Sequence, residues 1–532
     1  MNKNTLTDYP YPSARRVIMG KHCAVATSQP LATLAGMEMF WAGGNAVDAA
    51  IAMAIALTVV EPTSNGIGSD AFALVWDGKL HGLNASGKSP QNLTINQFDG
   101  MNTIPSKGWL PVTVPGAVSG WRILWERWGK LPFEQLFTPA IRYAELGFPV
   151  SPITASAWKQ AETIYLSLSG REFEPFKNVF FPNNRAPLAG EIWGSEIHGE
   201  TLRAIAQSGG DSFYQGKIAQ SMADFAADTG GFLTTSDLAS HQAEWVEPIS
   251  TNYRNLTVWE IPPHTQGIAA LIALNILEGF ELSRYSRDSV ESYHLQIEVM
   301  KLAFADVHRY ISDPGFMEVD VEQLLNKTYA TSRRELIGEE AIFLAEPGLL
   351  KGGTVYLAAA DGELMVSFIQ SNYEGFGSGI LIPDTGIALQ NRGVGFTLET
   401  GHPNQLAPSK RPFHTIIPGF LTQDGEPLGS FGVMGGHMQP QGHLQVVVNL
   451  TDYGMNPQAA LDAPRWQFLS GNQVLLEHTV PRHVALALAE WGHDIQISAD
   501  GREFGRGQII LRDRGVLIAA SEPRADGLAL AQ

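Results

Sequence analysis

The chain has 532 residues, of which 44% are hydrophobic, 9% aromatic and 17% charged. This length exceeds the size at which one hydrophobic core usually stops growing, so we expect several domains or one large layered domain, without long disordered stretches. The formal net charge of −18, without a run of Lys and Arg, argues against nucleic-acid binding, because such a surface needs basic patches.

Several features bear on location and cofactors. Residues 1–16 lack the apolar core of a secretory signal, and the longest strongly apolar run, residues 49–60, is shorter than the about 20 residues of a membrane span. Cys23 is the only cysteine, which excludes an intramolecular disulfide and a Cys-based metal cluster. HExxH, GxGxxG and P-loop motifs are also missing from the sequence. We therefore expect a cytoplasmic protein that uses no metal and no cofactor.

The first 350 residues are predicted to be mainly helical. The run AVDAAIAMAIALTVV, residues 46–60, predicts a core helix. The glycine-containing loop from Ser64 to Asp70 leads into a predicted hairpin with strands at 71–75 and 79–83. Further helical patterns cover residues 116–129 and 289–312.

After Lys351-Gly352-Gly353 the pattern changes to strands. Residues 355–360 and 364–371 are predicted to form a hairpin around the Asp361-Gly362 turn, which places Thr354 at its mouth. The strands expected next lie at residues 379–382, 415–421 and 444–449, and a helix is expected at 457–463.

Thr354 follows two glycines at the start of a predicted strand. A Gly-Gly backbone can adopt geometries that expose the Gly353 carbonyl to attack by the Thr354 hydroxyl. The attack gives an ester, whose hydrolysis frees the Thr354 amine. An α-amine has a pKa of about 7.7–8.0, so it can accept the hydroxyl proton and serve as the base. By itself, however, Gly-Gly-Thr before a strand is more often an ordinary turn.

Seven stretches change that reading when they are taken together: GGNAVDAAIA (43–52), EPTSNGIGSDAF (61–72), TVPGAVSGW (113–121), KLAFADVHRYISDPGF (301–316), FGSGILIPDTGIALQNR (376–392), KRPFHTIIP (410–418) and VMGGHMQPQGHLQVVVNLTDYGMNPQAALDAPRW (433–466). In content and order they resemble the gamma-glutamyltranspeptidase family of N-terminal-nucleophile hydrolases. The resemblance covers about residues 40 to 470.

The resemblance implies a fold and a processing event. The implied fold is α+β, the four-layer αββα sandwich of that superfamily. The implied cut lies between Gly353 and Thr354, which gives a large chain, residues 1–353, and a small chain, residues 354–532, of 532 − 353 = 179 residues. After the cut, the two chains are expected to form one intertwined domain.

The resemblance also implies catalytic roles. Thr354 corresponds to the nucleophile, and Ser371 aligns with a threonine that hydrogen-bonds it. Gly435 and Gly436 match the pair whose backbone N–H groups stabilise the oxyanion of the tetrahedral intermediate.

The substrate contacts of the family are altered in this sequence. Family members bind the α-carboxylate and α-amine of a gamma-glutamyl group with an arginine, two hydroxyls and an acid. Here Ser86 occupies the arginine position, with Lys88 two residues later, His414 and Thr415 replace the two serines, and Gly395 replaces the acid. Loss of a charge-assisted contact to the α-amine costs about 1.5–3 kcal/mol, so glutathione is a doubtful substrate.

We therefore expect the hydrolysis of a small carboxylate-bearing amide without an α-amine, with oxamate as the best guess. Family branches with such changes include glutaryl-type acylases and an oxamate amidohydrolase of purine breakdown. The alternatives are a gamma-glutamyl hydrolase or transferase for glutathione-like compounds and, in another class, an unprocessed binding protein. The expected partners are the substrate and the two chains of one precursor, with a homo-oligomer possible and no nucleic acid or membrane. The candidate substrate-binding residues, each of which has a supporting or solvated role as the alternative, are Lys88, Asn372, Tyr373, Arg392, His414 and Thr415.

Overall fold

The computed structural model describes residues 10–11, 15–343 and 353–532. Most of the amino-terminal segment and the residues before the predicted cut, including Lys351 and Gly352, lie outside the described residues. Within the described ranges, no helix has both the length and the apolar character needed to cross a bilayer.

Two large sheets form the centre of the molecule. Among the described residues each has seven strands, and adjacent strands are antiparallel. The first sheet contains, in spatial order, β1 (Ile18–Gly20), β18 (Val516–Ser521), β17 (Arg506–Asp513), β13 (Glu426–Met434), β12 (Gly419–Gln423), β9 (Leu256–Glu260) and β8 (Ile249–Tyr253). The second contains β19 (Leu528–Ala531), β2 (Ala24–Thr27), β10 (Gly353–Ala360), β11 (Met365–Tyr373), β3 (Asp70–Trp76), β4 (Leu80–Ala85) and β7 (Glu244–Val246). Smaller sheets pair β5 (Phe148–Pro149) with β6 (Ile192–Trp193), and β14 (Trp466–Ser470) with β15 (Gln473–Glu477) and β16 (Asp494–Ser498).

Helices cover the outer faces of both large sheets. On the side of the second sheet lie α1 (Pro30–Trp41), α2 (Ala46–Val60), α3 (Ala117–Trp128), α4 (Phe133–Leu146), α5 (Pro152–Ser167), α6 (Glu174–Phe180), α7 (Glu196–Gln207), α8 (Asp211–Gln215), α9 (Lys217–Thr229) and α10 (Thr235–Ser240). On the side of the first sheet lie α11 (Gly267–Leu277), α12 (Val290–Tyr310), α13 (Val321–Leu324), α14 (Lys327–Arg334), α15 (Met438–Thr451), α16 (Pro457–Asp462) and α17 (Arg482–Glu490).

Three hydrophobic cores correspond to these layers. One lies between the two sheets, and one lies between each sheet and its helices. Strand β10 shows how the sequence specifies this arrangement. Tyr356 and Ala358 point into the core between the sheets, whereas Val355 and Leu357 point toward the helices. Because both faces are buried, VYLAAA is a continuous apolar run. The layer order is therefore the predicted αββα.

Most of the predicted elements are confirmed. The core helix at 46–60, the hairpin that follows Thr354 and the helix near 457 lie where the sequence placed them. The part of the chain before residue 353 is mainly helical, but it also supplies strands to both large sheets.

Three predicted strands are wrong in part or entirely. Residues 444–449 lie in α15 and not in a strand. The prediction failed because this part of the helix is buried on all sides, and a short apolar run does not distinguish a buried helix from a strand. The predicted strand at 415–421 begins only at Gly419, since Pro418 has no N–H for a ladder. In the segment 379–382, only an isolated bridge from Leu381 to Ala388 is formed.

Candidate active site

Thr354 lies opposite a β-bulge in the second sheet. Gly353 pairs with Tyr373, whereas Val355 pairs with Gln370, so two residues of β11 face the single residue Thr354. Such a bulge redirects a side chain, and bulges are common beside active sites. The result is that the Ser371 side chain meets Thr354, which is fully buried.

Ser371 connects the candidate nucleophile with the carbonyl it would attack. The Thr354 hydroxyl donates to Ser371 Oγ over 3.1 Å, and the Ser371 hydroxyl donates to the Gly353 carbonyl oxygen over 2.7 Å. Ser371 Oγ also accepts from the Tyr373 N–H at 2.7 Å and from Arg392 Nη2 at 3.2 Å. A cationic donor makes this hydroxyl a stronger donor to the carbonyl.

Gly353 packs closely against the backbone of Gly375. A Cβ atom at this position would lie 2.8 Å from the backbone nitrogen of Gly375 and 3.0 Å from its Cα. Backbone atoms in a sheet turn cannot move aside as the end of a side chain can, so any larger residue would displace the bond that precedes Thr354.

Arg392 lies behind Ser371 with its guanidinium fully buried. Nη1 donates to Thr415 Oγ1 at 2.8 Å, and the guanidinium stacks on the Tyr373 ring with its carbon 4.3 Å from the ring centre. Burial lowers the pKa of Arg392 to about 10, although the neighbouring Asp70 opposes this shift. Arg392 therefore carries a positive charge at neutral pH, one hydroxyl away from Thr354.

Asp70 is a site residue that the sequence reasoning treated only as part of a loop. It begins β3, is fully buried, and places Oδ2 3.8 Å from Arg392 Nε. His414 Nε2 lies 3.2 Å from the same oxygen, and since His414 Nδ1 accepts from the Ile416 N–H at 3.3 Å, the Nε2–H donates to Asp70. Burial raises the pKa of Asp70 to about 7 against the attraction of Arg392. The signal in the sequence that could have identified Asp70 is an acidic residue directly before a fully apolar strand.

Gly435 and Gly436 join β13 to α15 and reach the same cluster. Their φ angles are +145° and +60°, a region that side chains rarely allow. Gln266 Nε2 donates to the Gly436 carbonyl at 2.8 Å and to the Thr415 carbonyl at 2.5 Å, which connects this turn to the Arg392 network. Within the described part of the chain, neither glycine N–H donates a hydrogen bond. Free backbone N–H groups of this kind are the donors that an oxyanion hole uses.

The structure separates two of the predicted substrate-binding residues from this cluster. The Asn372 side chain accepts from Ser69 Oγ at 2.8 Å and donates to the Phe376 carbonyl at 3.3 Å, so its hydrogen bonds are made outside this cluster. Lys88 is exposed in a separate cleft of about 240 Å³ that also contains Arg411. Tyr373, Arg392, His414 and Thr415, in contrast, are brought together around Ser371.

Gly395, which replaces the acid of the family, has no room for a side chain. A Cβ atom on Gly395 would lie 2.3 Å from the carbonyl oxygen of Phe413. Introducing an aspartate at Gly395 would therefore distort the loop instead of restoring an acidic contact.

One group of three candidate metal ligands exists among the described residues, outside this site. His294, Glu298 and His493 are buried, with ligand atoms within 4.8 Å of one another. Lys301 Nζ lies 2.7 Å from Glu298 Oε1, and His294 Nδ1 lies 2.9 Å from His493 Nε2. An ammonium ion beside the carboxylate opposes a second cation, so we interpret the group as an ion-pair and hydrogen-bond cluster.

Thr354 is the second residue of β10, a buried central strand of an αββα sandwich, and the Ser371 hydroxyl links it to the carbonyl of the preceding residue. This arrangement defines a class of enzyme. The class is the autocatalytically cleaved N-terminal-nucleophile amidohydrolase. The family model described as gamma-glutamyltranspeptidase matches residues 32–532. The chain belongs to the gamma-glutamyltranspeptidase family.

Individual relatives agree with this assignment. The chain is similar to the glutathione hydrolase-like YwrD proenzyme of Bacillus subtilis (strain 168), with 34% identity covering 96% of this chain and 99% of the relative. It is equally similar to the oxamate amidohydrolase proenzyme of Klebsiella pneumoniae, with 34% identity covering 96% and 98%. The crystal structure of cephalosporin acylase from Bacillus halodurans superposes with a TM-score of 0.95 and 55% identity, covering 99% of this chain and 98% of that one.

Proposed function

We propose that the chain cleaves itself between Gly353 and Thr354 and then uses Thr354 to hydrolyse the amide of a small acyl group that carries a carboxylate and no α-amine. The observation that carries this proposal is the position of the Ser371 hydroxyl, which bonds both Thr354 Oγ1 and the Gly353 carbonyl oxygen. A cytoplasmic location belongs to the same proposal.

Self-cleavage follows from these hydrogen bonds. Thr354 Oγ attacks the Gly353 carbonyl carbon, and its proton passes to Ser371 while the Ser371 proton moves to the developing oxyanion. The C–N bond then breaks as the proton on the former carbonyl oxygen passes to the nitrogen, which leaves Gly353 as an ester on Thr354 Oγ and frees the Thr354 amine. Water hydrolyses the ester to the Gly353 carboxylate. All reacting groups belong to one chain, so the step benefits from a high effective concentration.

In the mature enzyme, the Thr354 α-amine would accept the hydroxyl proton as Oγ attacks the substrate amide. The Gly435 and Gly436 N–H groups would stabilise the oxyanion, and the leaving amine would take the proton from the Thr354 ammonium. Water then releases the acid from the acyl-enzyme. The Ser371 hydroxyl, which no longer donates to the Gly353 amide carbonyl after the cut, would donate to Thr354 Oγ and orient the nucleophile.

Arg392 favours a short acidic acyl group. It is a buried cation that shares the Ser371 hydroxyl with Thr354, so a carboxylate bound to it lies close to the attacked carbonyl. Oxamate, in which the carboxylate is bonded directly to the amide carbon, is the smallest such substrate and remains our specific proposal. The similarity to an oxamate amidohydrolase supports it.

Two alternatives remain within the same site. Similarity to cephalosporin acylase and to the Acylase ACY 1 proenzyme of Pseudomonas favours a longer acidic acyl group such as glutaryl. Similarity to glutathione hydrolase proenzymes favours a gamma-glutamyl group, for hydrolysis or for transfer to an acceptor amine.

A release assay over three substrates tests the proposal. We expect ammonia from oxamate and faster hydrolysis of glutaryl anilide than of gamma-glutamyl anilide. A tenfold or greater preference for the gamma-glutamyl compound, about 1.4 kcal/mol, would reassign the enzyme to gamma-glutamyl chemistry. A single full-length band on a denaturing gel, without hydrolysis of any amide, would instead support the unprocessed binding protein.

A further inference from the structure

The contact between Asp70 and Arg392 is charged but incompletely hydrogen-bonded. Arg392 Nε lies 3.8 Å from Asp70 Oδ2 and, among the described residues, has no hydrogen-bond partner. An arginine that is only positioned by an acid usually forms two parallel hydrogen bonds with it. Asp70 therefore acts on Arg392 mainly through its charge, in a buried environment where charges interact more strongly than in water.

We propose that Asp70 is a specificity-determining residue, whose carboxylate partly neutralises Arg392 and so limits the attraction of the pocket for a carboxylate-bearing substrate. This inference rests on the proposed function, in which Arg392 binds that carboxylate. The pair of opposite charges is close to neutral as a whole, which lowers the free-energy cost of keeping Arg392 buried between turnovers.

The other groups that face Asp70 keep one charge state near neutral pH. Burial lowers the pKa values of His414 and His264 well below their usual range, and burial raises the pKa of Tyr214, so all three stay neutral. Arg392 and Arg411 are the cations that lower the pKa of Asp70 most, and Arg411 Nη2 is itself 2.9 Å from Glu244 Oε1. Asp70, with a pKa of about 7, is thus the group whose charge changes near neutral pH.

The sign of the effect on substrate choice follows directly. Below pH 7 Asp70 is protonated, the Arg392 charge is uncompensated, and an anionic substrate is favoured. Above pH 7 the pair is formed and this preference weakens. The ratio of kcat/KM for an anionic and a matched neutral substrate isolates this effect, because titration of the Thr354 amine affects both substrates equally.

The test compares glutaryl anilide with neutral pentanoyl anilide from pH 5.5 to 8.5. For the wild type, we expect the ratio to rise as the pH falls through 7. For Asp70→Asn, we expect the ratio to be independent of pH and, at pH 8, about tenfold above the wild-type ratio through a lower KM, equivalent to about 1.4 kcal/mol. A ratio that is flat in the wild type, or unchanged by Asp70→Asn while both activities fall together, would overturn the inference.

Two further measurements separate this inference from the function on which it rests. Arg392→Gln should abolish the preference for the anionic substrate; if the preference survives, the proposed role of Arg392 fails first. If Asp70→Asn does not mature, the pH dependence of the kcat/KM ratio in the wild type still tests the inference. Where turnover of the anilides is too slow, calorimetry with glutaramate and with pentanamide, a matched anionic and neutral pair of amides, gives the corresponding ratio of binding constants for the wild type and Asp70→Asn.

Discussion

The Ser371 hydroxyl donates to the Gly353 carbonyl oxygen while it accepts from the Thr354 hydroxyl, at 2.7 and 3.1 Å. One side chain is thereby hydrogen-bonded both to the attacking oxygen and to the carbonyl oxygen that becomes the oxyanion during self-cleavage. Removing the hydroxyl of Thr354 or of Ser371 should therefore impair self-cleavage more than it impairs folding.

Thr354→Ala should remain a single chain of 532 residues, because no hydroxyl is left to attack Gly353. Thr354→Ser should yield both chains and retain some activity, since the hydroxyl is kept. Denaturing gels and intact-mass measurements of the purified variants check both outcomes. Cleavage of purified Thr354→Ala at residue 353 would show that an external protease makes the cut.

Ser371→Ala should slow self-cleavage by about 10²–10³-fold, the usual effect of losing one oxyanion donor. The measurement is the appearance of the small chain with time after refolding or synthesis. Ser371→Thr keeps the hydroxyl and serves as the control, which should mature at a rate near that of the wild type. Equal rates for the alanine and threonine variants would contradict the role given to this hydroxyl.

Gly353→Ala should impair maturation through packing, because its Cβ would lie 2.8 Å from the backbone nitrogen of Gly375. The matched control is Gly362→Ala in the turn of the same hairpin, where a Cβ meets nothing within 4 Å. We expect the control to mature normally. Normal maturation of Gly353→Ala would show that the scissile bond tolerates displacement.

Lys301→Met should lower the free energy of unfolding by about 3–5 kcal/mol, the usual cost of leaving a buried charge without its partner. Lys301 and Glu298 are both 0% exposed, with 2.7 Å between Nζ and Oε1. Urea unfolding of the uncut Thr354→Ala chain measures the change. The control is Lys159→Met, whose exposed pair with Glu162 at 2.6 Å should contribute at most about 1 kcal/mol.

Local signals in the sequence predict the hairpin that begins beside Thr354, whereas the αββα layers and the proposed role of Thr354 as nucleophile follow from the family resemblance. The apolar run from Val355 to Ala360 and the Asp361-Gly362 turn define this hairpin without tertiary information. The helix at 444–449 was missed because a helix buried between layers has no polar face, and its valines also suit a strand.

Asp70 could not be assigned from the sequence for a different reason. Its partners, Arg392 and His414, are more than 300 residues away along the chain, and the pairing depends on the packing of β3 against loops of the other half. The separation of Lys88 from the Arg392 cluster depends in the same way on how the segment around Ser86 folds over Asp70.

Both large sheets alternate strands from the two sides of the proposed cut. In the second sheet, β10 and β11 lie between β2 and β3, and in the first sheet β12 is paired with β9. The uncut precursor therefore folds as a unimolecular reaction, whereas the mature enzyme, once denatured, must reassemble two polypeptides. Renaturation of the mature enzyme should then follow second-order kinetics and fail on dilution, while the uncut Thr354→Ala chain should regain its structure at a rate independent of concentration. Processing would thus make unfolding effectively irreversible in dilute solution, because the two separated chains would no longer meet to refold.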